Sequence, residues 1–277
     1  MRYEYYFCQN ETPWLTEFIT SKNIKYKRTE FEDGTVYIIF SLYSTTPNID
    51  AYLEELKGKR ITPSINREYS EKDLNNAKLL IIRPYKYFFD IINEDEAFEY
   101  SCLCPTIMGG TTYVHETQVG PIAVRKEPTP NKKTAFWCSS TGGEEVFVDH
   151  RIYNLAKEND LRGLQFNDVL VKKNVSKNIF QLTTERTIDK SKIATGYGER
   201  IFKCPACGRE EYMIEKSLYE LHLDFDQISL DSDLYMTTGL RSRGCPLPKY
   251  LISQRFYQLL KTNKLTGNIA FTPVESI

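Results

Sequence analysis

The chain has no run of eighteen uncharged apolar residues. Its start, Met1-Arg-Tyr-Glu-Tyr-Tyr-Phe-Cys8, lacks the basic segment and long apolar stretch of a secretory leader. These absences predict a cytoplasmic protein with no membrane partner. Histidine is scarce, and none of His115, His150 and His222 has a metal-type partner at helical spacing. No Gly-x-Ser-x-Gly elbow, phosphate-cradling glycine loop or H-E-x-x-H helix occurs, so a hydrolase or kinase of familiar type is disfavoured and no catalytic residue is assigned. Charge of one sign is missing too: 36 basic side chains face 37 acidic ones, which gives no global reason to expect a polyanion. Nucleic acid is on that ground a disfavoured partner.

What the chain does have is the composition of a folded protein, 41% hydrophobic and 26% charged over 277 residues, enough for one large domain or two ordinary ones. Seven cysteines in a reducing compartment point to metal ligation or burial, and an odd number cannot form a complete intrachain disulfide set. Cys8 and Cys138 read as small buried hydrophobes on strands.

Pattern reading gives an α+β fold. Residues 2–8 read as a strand, Thr12-Pro13 opens a helix, and Asp33-Gly34 turns a hairpin between Ile24–Glu30 and Thr35–Leu42. A second helix covers about Asn48–Lys57, and the apolar run Lys78–Arg83 reads as a buried strand. The order is β-α-β-β-α-β, the split arrangement of a ferredoxin-like region, expected over residues 1–100. The stretch between Gly58 and Ala77 is long for a connection and carries a short helix near Ser70–Asn76. Residues 84–143 are turn-rich, with short strands at Tyr113–Glu116, Ile122–Lys126 and Thr134–Cys138.

A second domain, residues 101–277, is expected to contain a duplicated helix-strand unit, at 146–174 and 247–275. Setting Arg151 on Arg255 also matches Tyr153, Leu155, Lys157, Asn159, Leu161 and Gly163 with Tyr257, Leu259, Lys261, Asn263, Leu265 and Gly267, and one inserted residue later Phe166 and Val169 meet Phe271 and Val274. Asp149 and Ser253 stand as equivalent N-caps, and Gly163 and Gly267 as equivalent exits from the helix.

The most specific short motif is Cys204-Pro-Ala-Cys207-Gly208, which puts two thiolates on a tight turn in the manner of a zinc knuckle. A knuckle supplies two ligands, and no second C-x-x-C exists; Cys102, Cys104, Cys245 and His222 are the candidates for the remaining ligands. Two charged stretches remain. Asp224, Asp226, Asp231 and Asp233 alternate with apolar residues, which predicts a strand with a wet face and a candidate surface for a basic partner. Lys172, Lys173 and Lys177 form a basic counterpart and motivate an alternative reading as a zinc-ribbon nucleic-acid binder. An unrecognised enzyme using His115, Glu116 and His150 is the third reading.

The segments Leu161-Arg-Gly-Leu-Gln-Phe166, Cys204-Pro-Ala-Cys207-Gly208, Ile252–Leu260 and Phe271-Thr-Pro-Val274 together resemble the double-CXXCG-motif proteins and related polymorphic-toxin immunity families. The likeness covers about residues 146–277. It departs from the family pattern in having one C-x-x-C-G, with Cys102-Leu-Cys104 as a degenerate first. The resemblance implies a cytosolic bacterial protein that binds and neutralises a cognate toxin domain, or a relative of unassigned function encoded in similar loci.

Overall fold

The computed structural model describes residues 2–276 except 86, 106–111, 129–131, 133, 140–144, 190–199, 204–209, 214–220, 239, 243–244 and 247–248. The protein is mixed α+β, and the chain divides into two compact units, Met1–Asp73 and Leu74–Ile277.

The first unit runs β1 (Arg2–Asn10), α1 (Pro13–Ser21), β2 (Tyr26–Glu30), β3 (Val36–Tyr43), α2 (Ile49–Gly58) and β4 (Ser64–Glu68). Its sheet has the order β2-β3-β1-β4 with every pair antiparallel. Alternation in β1 and β3 turns Phe7, Ile38, Phe40 and Leu42 to one face, where they meet Leu15, Phe18 and Ile19 of α1 and Leu56 of α2 in a buried cluster. Thr12 caps α1 by accepting from the Leu15 amide at 3.1 Å, with Pro13 in the first turn. At the β2–β3 hairpin Gly34 takes φ +80°, and the Asp33 carboxylate accepts from the Thr35 amide at 2.8 Å. That bond holds the Asp33 carboxyl below the usual carboxylate range. Cys8 is exposed, against the expectation of burial, because it lies on the face of β1 that the helices do not cover.

The β-α-β-β-α-β order is present, but its last strand is not the one expected. It is β4, the polar Ser-Ile-Asn-Arg-Glu, drawn from the supposed long connection and antiparallel to β1. Arg2 and Glu68 pair across that edge. The apolar run near residue 80 belongs to the second unit, so the division falls at 73/74, inside α3 (Glu71–Asn76), and not near residue 100.

The second unit continues β5 (Leu79–Pro84), β6 (Tyr87–Phe89), α4 (Glu94–Ala97), β7 (Phe98–Pro105), β8 (Thr112–Gln118), β9 (Ala123–Val124), β10 (Phe136–Ser139), β11 (Val146–Asp149), α5 (His150–Glu158) and β12 (Gln165–Val171). There follow β13 (Asn174–Thr183), β14 (Thr187–Ile188), β15 (Arg200–Lys203), β16 (Glu210–Met213), β17 (His222–Leu223) and β18 (Leu234–Thr237). The chain ends with β19 (Leu240–Ser242), β20 (Cys245–Pro246), β21 (Tyr250–Ser253), α6 (Gln254–Thr262), β22 (Ile269–Pro273) and β23 (Glu275–Ser276).

Two sheets carry this unit, in the orders β6-β10-β11-β13-β12-β9 and β14-β18-β21-β5-β22. They correspond strand for strand. β6 is parallel to β10 as β14 is to β18, and every pair from there to β12 and β22 is antiparallel. The last position corresponds as well, since β9 is parallel to β12 and β17 is parallel to β23, which continues β22. The registers agree to the residue. Leu182 pairs with Val146 and Phe166, and Ile82 pairs with Tyr250 and Phe271.

The duplication therefore covers nearly the whole second unit, with residues 79–171 as one copy and 174–276 as the other. Their first strands are exchanged: β5 lies between β21 and β22 of the second copy, and β13 lies between β11 and β12 of the first. The strands β5, β10, β11, β18 and β21 are buried along nearly their whole length and read as short apolar runs, whereas β12 and β13 keep exposed residues. Leu80, Ile82, Val146, Val148, Tyr250 and Ile252 enter one shared core with α5 and α6. Their neighbours Phe147 and Leu251 face two separate outer clusters.

The repeated element is strand-helix-strand, since Val146–Asp149 and Tyr250–Ser253 are strands that lead into the helices. Asp149 and Ser253 cap α5 and α6 as expected. Asn159 and Asn263 each return a side-chain bond to the helix, at 2.9 Å to the Leu155 and Leu259 carbonyls. The residues that bend back are Asp160 at φ +47° and Lys264 at φ +57°. Tyr153 and Phe166 meet edge-on at 5.1 Å, as Tyr257 and Phe271 do at 5.0 Å. The two glycines differ in role. Gly163 takes φ +78° against Ser232 and Leu234, whereas the Gly267 carbonyl accepts from the Tyr85 hydroxyl at 2.5 Å.

Candidate functional site

The cysteines expected to bind metal lie on or beside two corresponding hairpins. β7–β8 follows β6 and precedes β9, and β15–β16 stands in the same place between β14 and β17. The closing pairs are Pro105 with Thr112 and Lys203 with Glu210, leaving six connecting residues in each hairpin. Cys204 and Cys207 fall in the second connection, outside the described residues. Cys102 and Cys104 belong to β7, opposite His115 and Tyr113. Counted from the closing pairs, the counterparts of Cys204 and Cys207 are Thr106 and Gly109, so Cys102-Leu-Cys104 is not a degenerate copy of the knuckle in register. Sequence reasoning missed the pairing of Cys102 with His115, because register across a turn leaves no local signal.

Cys245 joins the second hairpin's sheet, whose order is β15-β16-β19-β20. It pairs with Ser242, one residue beyond Arg241, which stands level with Met213. The hairpin connection holding Cys204 and Cys207 is closed by the Lys203–Glu210 pair, four residues, or ~13 Å at ~3.3 Å per residue, back from the level of Cys245. His222 Nε2 stands 3.2 Å from Glu275 Oε2. Among the described residues no group of three or more His, Cys, Asp or Glu side chains could hold a metal.

The acidic group does not form the expected strand. Asp224 caps a single 3-10 turn over Phe225–Gln227, accepting from the Asp226 amide at 3.1 Å, and Phe225 is buried beneath it. The alternation reflects this turn and the loop after it. Asp226 is exposed, and Asp231 pairs with Arg186 at 3.8 Å beside a cavity of about 350 Å³ bordered by Gln227, Ser229 and Tyr235. Burial pushes the Tyr235 phenol up, while its oxygen accepts from the Ser232 amide at 2.7 Å.

Asp233, expected on a wet partner-facing surface, is buried instead. It is 5% exposed, and its carboxylate accepts from the Arg162 amide at 2.9 Å and the Ser253 hydroxyl at 2.6 Å. Arg255 approaches the same carboxylate at 3.4 Å and also reaches the Asn159 and Asp160 carbonyls at the end of α5. Asp233 thus ties the two copies together. The four aspartates are split between a turn, a rim and a buried junction.

The residues weighed for catalysis are placed on different elements. His115 and Glu116 are strand residues of β8, opposite Cys102 and Tyr100, while His150 is the exposed first residue of α5. The Cys138 thiol is buried, within 3.5 Å of the Pro84 carbonyl, and is pushed up to about 11 by desolvation, reinforced by Glu145. That environment suppresses thiolate chemistry. No helix among the described residues is long and apolar enough to cross a membrane. No family model, curated protein or solved structure matches the chain.

Proposed function

We infer that the chain is a non-enzymatic, cytoplasmic protein-binding protein, an immunity protein that neutralises a cognate bacterial toxin domain. The observation that carries this reading is the corresponding pair of hairpins, β7–β8 and β15–β16, mounted at equivalent places on a core that both copies share. A rigid frame presenting two similar but diverged arms suits recognition of an extended partner surface, because the frame is ordered before binding and the arms supply the specificity. Size-exclusion chromatography of the purified chain with the product of the neighbouring gene tests it. A stable complex that is lost when either hairpin is cut back to a short turn is the expected result. A chain that returns no protein partner, or one whose complex ignores both deletions, removes the reading.

A zinc ion held by Cys204 and Cys207 belongs to the same proposal, as a staple for the second arm. Elemental analysis should find about one zinc per chain, lost in C204S/C207S. A stoichiometry near zero reduces the motif to a turn without metal.

A further inference from the structure

The outer strands of the first sheet gather five cations that the sequence scatters over some fifty residues. Lys172 and Lys173 form the two-residue turn between β12 and β13, closed by the Val171–Asn174 pair, and Lys177 follows on β13. β9 runs parallel to β12 with Val124 opposite Val171, and the Lys172 amide donates to the Val124 carbonyl at 3.0 Å. Arg125 and Lys126 therefore leave β9 beside the turn, within about one strand spacing, ~4.8 Å. All five are exposed, and none forms an ion pair among the described residues. The carboxylate among them, Glu127, is engaged by the Ser176 hydroxyl and by Asn178 Nδ2 at 2.9 Å. Lys172 sits at φ +61°, a turn position that asparagine or glycine fills with less strain.

We propose that this tip binds the phosphate backbone of a duplex nucleic acid without reading its bases. Lysine, arginine and the exposed Asn174 offer donors, and phosphate oxygens are acceptors alone. The group contains no aromatic side chain on which a base could stack, so sequence discrimination is not expected from it. Cores of protein–protein interfaces are depleted in lysine and rich in aromatics, which makes an acidic protein surface the poorer match. The inference goes beyond the protein-binding reading and stands or falls separately from it.

Fluorescence anisotropy of a labelled mixed-sequence DNA duplex titrated with the full chain tests the proposal. Binding should weaken with salt, with a slope of log affinity on log salt up to about −4.5, near −0.9 for each phosphate neutralised. Unrelated duplexes should bind alike. The variant K172N/K173Q/K177Q keeps the hairpin, because asparagine tolerates the left-handed position, so its melting temperature should not fall. Its affinity should drop at least tenfold and its salt slope by about 2.7. R125Q/K126Q is an independent second test, with a loss of slope of about 1.8. Salt-insensitive binding, no binding at about 50 mM salt, or affinity unchanged in both variants overturns the proposal. Poly-L-glutamate bound as tightly as duplex, with the same variant sensitivity, also overturns it and places an acidic protein at the tip.

Discussion

A methyl group built on Gly163 would stand 1.9 Å from Ser232 Oγ and 3.0 Å from the Leu234 carbonyl, on a backbone already at φ +78°. Gly34 has a similar φ, +80°, with nothing within 4 Å of the added carbon. Gly163→Ala should therefore cost about 3 kcal/mol in urea unfolding, and Gly34→Ala about 1 kcal/mol. Equal losses would show that the crowding against Ser232 is relieved by side-chain rotation. The Cys138 thiol makes a second residue-scale prediction. Its folded value of about 11 lies above the ordinary thiol value of 9.0, so the folded state holds the proton more tightly. Its contribution to stability is complete below pH 9 and falls as pH rises towards 11. Stability of the wild type relative to Cys138→Ala should decline over that window, and a flat difference would show that the thiolate is solvated. At this scale the sequence was least legible. Asp231 and Asp233 look alike in an alternating acidic run, yet one meets Arg186 at the surface and the other is buried between the two copies. The distinction comes from strands far apart in the chain.

Elements were more legible, and for local reasons. Both caps of the repeated helices, the Asp33-Gly34 hairpin and the short strand near residue 123 follow from signals confined to a few residues. The acidic strand failed because an apolar residue buried under a 3-10 turn imitates period-two alternation. β4 was missed because an edge strand with polar side chains has no apolar run to announce it. Replacing either cap by alanine should destabilise the second unit by about 1 kcal/mol. Ser253→Ala should cost more than Asp149→Ala would from capping alone, since the Ser253 hydroxyl also donates to Asp233. Urea midpoints of the two variants check this, and identical shifts would remove the Ser253–Asp233 bond as a contributor.

For the whole molecule, the seven identities around α5 and α6 revealed a duplication but not its extent. The other strands kept pairing partners without keeping residues: Ile82 and Leu182 occupy the same place, as do Tyr250 and Val146. The exchange of β5 and β13 lay beyond sequence reasoning, which treats neighbours in the chain as neighbours in the sheet. It makes a prediction. A chain cut between Lys172 and Lys173 should stay together on a sizing column, because each fragment holds a central strand of the other's sheet. Fragments that part without denaturant would refute the exchange.

The same exchange sets a timetable for synthesis. β5 leaves the ribosome well over a hundred residues ahead of β21 and β22, the strands it must join. At roughly 5–20 residues per second it waits on the order of ten seconds or more, an apolar ribbon with both faces uncovered. Nascent chains of this protein should thus depend on holdase chaperones until their last residues emerge, while the first unit, Met1–Asp73, has all its strands in hand soon after it is made.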